Sequence, residues 1–122
     1  MLTKQTFLQQ CNEIKKSYET GTLSTVSALE NIEYLIYKAY NFKLIDKNFN
    51  EEGIMEFYYD MKKKGIKQKI DDIKSFLQEL GFLQNKKHNY SLKYIKRLCK
   101  QLQMRYGVAH NFCSFCHHYN LK

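Results

Sequence analysis

Not one proline occurs in this chain. Proline interrupts helices more strongly than any other residue, because it lacks a backbone N–H and its ring clashes with the preceding turn. A chain with no proline and only five glycines can run helix through most of its length. The apolar spacing agrees. Phe7, Leu8, Cys11, Ile14 and Tyr18 recur at intervals of three and four and draw one stripe along a helix over about 3–18. "ETGTLST" then breaks the pattern, and Ser24 or Thr25 is placed to cap a second helix over about 25–43. That helix carries Val26, Leu29, Ile32, Leu35, Ile36, Ala39 and Tyr40 on one side.

"LIDKNFNEEG" reads as a loop. A short third helix is expected from Glu51 or Glu52 to Lys64, ending at "KKKG". A fourth is expected over about 66–80, with Ile66, Ile70, Ile73, Phe76, Leu77 and Leu80 on one face and Gly81 closing it. "QNKKHN" is a polar turn. Ser91 caps a fifth helix bearing Leu92, Ile95, Leu98, Cys99, Leu102, Tyr106 and Ala109, with Phe112 to Cys116 able to extend it. Gly107 lies inside that run, at a cost of about 1 kcal/mol relative to Ala. No alternating strand pattern, repeat or linker is present. The expected fold is all-α: a single up-and-down bundle of four to five helices, one domain over residues 1–122.

At 122 residues, 43% hydrophobic and 26% charged, the chain has the composition of a folded domain and not of a disordered one. Nothing in it approaches the roughly 20 apolar residues of a membrane span, and its start lacks a signal-type apolar run. The expected location is the cytoplasm, with no membrane partner and four cysteines held as thiols.

Charge narrows the partners. Twenty basic against twelve acidic residues leave +8, which favours a polyanion, nucleic acid foremost. "MKKKGIKQK" puts five Lys in nine residues, and "KKHNYSLKYIKRLCKQLQMR" adds Lys86, Lys87 and more. Lys93, Lys96, Arg97 and Lys100 follow i, i+3, i+4, i+7 spacing and share a helix face opposite the core stripe, with Tyr90 and Tyr94 beside it. A basic ridge with tyrosines suits phosphate contact plus base stacking. The other reading is the solvated face of an amphipathic helix.

The segment "MRYGVAHNFCSFCHHYN" holds the remaining chemistry. Cys113, Cys116 and His117 spell the C-x-x-C-H pattern of covalently attached haem. With His118, Cys99 or His110 they also offer nitrogen and sulfur ligands for zinc. Only one such cluster is present, and the chain lacks the Ala-rich composition of helical haem proteins. Cys113 and Cys116, three apart on a helix, equally read as small apolar core residues. A c-type haem or zinc protein is therefore the lesser alternative, and no cofactor is expected.

Arg105 and His110 form the third pattern. Cutting RNA without a metal requires a group that moves protons between the ribose 2′-OH and the leaving 5′-oxygen, which suits His, with its ordinary pKa of ~6.5. It also requires a fixed cation for the charge that builds on the phosphate, and a guanidinium fork serves better than an ammonium. Arg105 is one of only two Arg among the twenty basic residues. "RYGVAH", of the form R-x4-H within R-x-x-V-A-H-N, resembles the signature of the HEPN domain family.

That resemblance implies a small all-α bundle acting on RNA, often as a ribonuclease in toxin–antitoxin, CRISPR-linked or other defence systems. It implies a homodimer that brings two Arg–His pairs into one cleft, and an antitoxin or larger complex as a further partner. The implied chemistry is metal-independent endoribonuclease cleavage: the 2′-OH attacks the adjacent phosphate and leaves a 2′,3′-cyclic end. The Arg in this family is often followed by Asn, Asp or His, whereas Tyr106 follows it here. A non-catalytic helical module, binding nucleic acid or serving as an adaptor in a larger complex, is the alternative. Five residues on an ideal helix turn about 500°, leaving the two side chains about 140° apart, so a distortion at Gly107 or a two-fold dimer has to bring them together. Asn111 is placed to hydrogen-bond phosphate or ribose, and Glu33 is a candidate to orient His110.

Overall fold

The computed structural model describes residues 2–84 and 90–121; most of the polar turn expected at "QNKKHN", with Lys86 and Lys87, lies outside them. The described residues form five helices and no strand: α1 (Lys4–Glu19), α2 (Thr25–Asn41), α3 (Ile54–Glu79), α4 (Leu92–Leu102) and α5 (Gly107–His118). The fold is all-α, as the periodicity predicts. None of these helices is long and apolar enough to cross a membrane.

The starts follow from local capping. Thr3 and Thr6 form a capping box, each side chain accepting from the other's backbone N–H. Ser24 accepts from Ser27 N–H at the start of α2, and Ser91 from Tyr94 N–H at the start of α4. At the end of α3, Gly81 takes φ +84°, a left-handed conformation that side chains with a Cβ rarely adopt. This lets Phe82 N–H return to Leu77 O at 2.9 Å.

Two expected boundaries are wrong. The break at "KKKG" does not occur, and α3 runs unbroken through Gly65 for 26 residues. The reason is packing. A Cβ on Gly65 would stand 2.8 Å from Leu29 Cδ2, and Leu29 is fully buried. Glycine is there to admit a neighbouring helix, and the contact outweighs its low helix propensity.

The second correction concerns the fifth helix, which ends at Leu102. The amides of Arg105 and Tyr106 both donate to Leu102 O at 2.9 Å, and Tyr106 turns extended at φ −129°, ψ 119°. The chain then starts again as α5 with Gly107 at its first position, not inside a helix. On one straight helix Phe112 would stand about 100° away from Ile95. The break re-aims it, and Phe112 joins Ile95, Cys99 and Leu102 in one core. Tyr106 also gains an edge contact with Phe76, ring centroids 5.7 Å apart.

The chain divides into two compact units, with the division between Gln68 and Lys69, inside α3. In the first, α1 packs on α2. Its core is Phe7 and Cys11 of α1, Ile32, Leu35, Ile36 and Ala39 of α2, Ile45 of the loop and Ile54 of α3. In the second, α4 packs on α5. Its core is Ile73 and Leu77 of α3, Leu83, the three α4 residues named above, and Ala109, Phe112 and Cys116 of α5.

Candidate functional site

The amphipathy of α4 sets up the site. Ile95, Cys99 and Leu102 are buried, so the opposite side of the helix is left to solvent. Lys93, Lys96, Arg97 and Lys100 line one shallow depression there of about 290 Å³, so the structure brings the four predicted ridge residues together. Lys93, Arg97 and Lys100 are exposed, and Lys96 is half-buried because its ammonium donates to Leu121 O at 2.6 Å. At the helix start Tyr94 is partly exposed and stacks on Tyr90, centroids 5.8 Å apart and planes within 20°.

The turn after α4 carries the Arg–His pair. Arg105 is exposed within the turn, and His110 is exposed one turn into α5, with its backbone N–H donating to Tyr106 O at 3.3 Å. Among the described residues no hydrogen bond or ion pair joins the two side chains. The 140° separation expected on one helix does not apply, because Arg105 precedes the break and His110 follows it. Tyr106, the N-cap, provides no side-chain hydrogen bond, so the first-turn amides of α5 keep their capacity to meet an anion. Asn111 is exposed beside His110. Glu33 accepts from the Tyr58 hydroxyl at 2.9 Å, which is a role in the first unit.

The cysteine-rich tail resolves differently from the zinc pattern. Cys116 is buried in the second core and Cys113 packs half-buried against it, as small helix-core residues do. Burial pushes the Cys99 thiol up to about 12, with neighbouring Cys113 and Cys116 adding to the shift. Cys113 and Cys116 are raised by burial as well, against the pull of Lys100 and Lys96 on the former and Lys96 on the latter. Among the described residues no three of His, Cys, Asp and Glu stand where they could hold a metal ion. His117 and His118 belong to the last turn of α5. Leu121, further on, packs against the core.

One strong signal is visible in the sequence once the units are known. All twelve acidic residues lie at or before Glu79, where twelve basic residues offset them. From Leu80 onward there are eight basic residues and no acidic one, so the whole +8 resides in the stretch that builds α4 and α5. The basic clusters and the ridge were legible in the sequence; the absence of any acidic residue beyond Glu79 was overlooked. Not legible there was a second depression of about 400 Å³, lined by Lys96, Lys100, Cys113, Cys116, His117, Asn120 and Leu121. No family model, curated protein or solved structure matches the chain.

Proposed function

We propose that this protein binds RNA on the acid-free α4–α5 segment and cleaves it without a metal, in the manner of HEPN ribonucleases. The observation that carries the reading is the turn between α4 and α5. Arg105, the uncapped start of α5 and His110 face solvent there in succession, beyond the basic face of α4. The ridge lysines and Arg97 hold the RNA backbone, and Tyr94 offers a ring to a base. His110 takes the proton from the 2′-OH or returns one to the leaving 5′-oxygen, and Arg105 together with the α5 amides stabilises the charge on the phosphate. A two-fold dimer supplies a second copy of each group to the same cleft.

A second reading is favoured by Tyr106. It stands where the family often has a polar residue, and its ring packs on Phe76. On that reading the protein binds RNA in a larger complex and does not cut it. One assay separates the two: labelled RNA incubated with the protein in EDTA, beside Arg105→Ala and His110→Ala. Cleavage that both variants lose by at least about a hundredfold is the expected result. Binding without cleavage in the unaltered protein selects the module, and equal cleavage by all three removes the Arg–His pair from the mechanism.

A further inference from the structure

The second depression, between α4 and α5, lies outside the Arg–His pair. Its charged and polar lining favours an anion. Lys96 and Lys100 come from α4, His117 and Asn120 from α5 and the residues after it, and no carboxylate is among the described residues that line it. Lys96 is pre-positioned: its ammonium is fixed on Leu121 O at 2.6 Å, leaving its other donors for a ligand. Cys113 and Cys116 add no opposing charge, since burial keeps both thiols protonated at neutral pH. The depression shares Lys96 and Lys100 with the ridge depression, so the two are continuous along α4.

We infer that this depression is a phosphate-binding site in which Lys96 and Lys100 supply the charge, and His117 and Asn120 the directional hydrogen bonds. Its ligand is a phosphate monoester, such as the end of an RNA strand whose backbone lies on the adjacent ridge. A monoester fits better than a backbone diester because it presents three oxygens and a second negative charge to a concave site lined by two ammonium groups and an imidazole. This assigns His117 a binding role separate from that of His110. The strand-end part of the inference rests on the RNA reading above, whereas the phosphate site does not.

The test is histidine-resolved NMR of the whole protein, with His110 and His117 assigned by His→Gln variants. Three probes are titrated: inorganic phosphate, a short oligoribonucleotide ending in a 3′-phosphate, and the same oligonucleotide ending in a 3′-hydroxyl. The expected result is that phosphate shifts the His117 ring signals, and that Lys100→Gln removes this shift without altering any shift of His110. The 3′-phosphate strand should bind about tenfold more tightly than the 3′-hydroxyl strand, and Lys100→Gln should abolish that advantage. Lys100 is exposed, so the variant keeps the fold, which the remaining spectrum verifies. If phosphate moves His117 but neither RNA binds, the site stands and the RNA reading falls. If both strands bind the ridge equally and His117 does not move, the RNA reading stands and the site is overturned. An undiminished response in Lys100→Gln also overturns it.

Discussion

The two halves of this chain use lysine in opposite ways. In the first unit, charged groups are tied to one another and to the backbone. Lys4 pairs with Glu51 at 2.6 Å, Asn12 donates to Glu52 at 2.6 Å, Lys15 donates to Glu52 O at 3.3 Å, and Lys64 pairs with Asp60 at 3.1 Å. In the second, α4 and α5 contain no acidic residue, and the Lys96 ammonium donates to the Leu121 carbonyl oxygen. The exposed pairs of the first unit stabilise it little, each by about 1 kcal/mol or less. What they do is cancel its field. The charges of α4, with no carboxylate on that helix to offset them, instead add to one positive field. A composition that is uniformly Lys-rich thus conceals one neutral region and one strongly basic one.

The comparison can be broken most forcefully through the cores. Phe7 and Phe112 are both fully buried, one in each. Phe7→Ala and Phe112→Ala should each cost about 3–5 kcal/mol, read from the urea midpoint. Residue-resolved amide exchange should then show protection falling first in the core that carries the substitution; equal loss in both would mean the units open together.

Alkaline pH probes both cores at once. Burial raises Cys11 to about 12, with Glu52 contributing, and Cys99 to the same level. Tyr58 is raised above its ordinary value by burial and by its hydrogen bond to Glu33. Above pH ~9 the unfolded chain releases these thiol protons while the folded chain keeps them, so the folded state binds more protons and stability falls as pH rises. The loss should run from about pH 9 to 12, at up to about 1.4 kcal/mol per pH unit for each thiol. Urea titrations at stepped pH measure it, and Cys99→Ala should flatten the slope. A flat profile in the unaltered protein would mean that the thiols are open to solvent.

The charge contrast itself is tested by salt. Replacing Lys93 and Arg97 with Gln should weaken RNA binding and reduce the slope of log Kd against log salt by about 1.4 for a single strand. Replacing Lys62 and Lys63 on α3 should change that slope much less; equal changes would erase the distinction between the two regions.

The smallest effects separate two glycines. Gly65→Ala puts a methyl 2.8 Å from a buried Leu29 atom and should destabilise by about 1–3 kcal/mol despite alanine's better helix propensity. Gly107→Ala meets nothing within 4 Å at the start of α5 and should stabilise by up to about 1 kcal/mol. Thermal melting of both variants gives the two signs.

Much of this was legible in local pattern. The all-α class, the caps at Ser24 and Ser91, the stop at Gly81 and the shared face of Lys93, Lys96, Arg97 and Lys100 depend on spacing within a few residues, where helix geometry alone relates sequence to position. The core packing of Cys113 and Cys116 was legible for the same reason, since residues three apart on a helix face the same way.

Contacts between distant segments decided the rest. Gly65 reads as a stop until Leu29 is laid against it. "QMRYGV" reads as continuous helix until Phe112 has to turn back onto Ile95 and Cys99. The groove that joins Lys96 to His117 exists only because that turn folds α5 against α4. Propensities at such places differ by about 1 kcal/mol, whereas burying a phenylalanine or making room for a leucine is worth several times more, so the tertiary contact prevails.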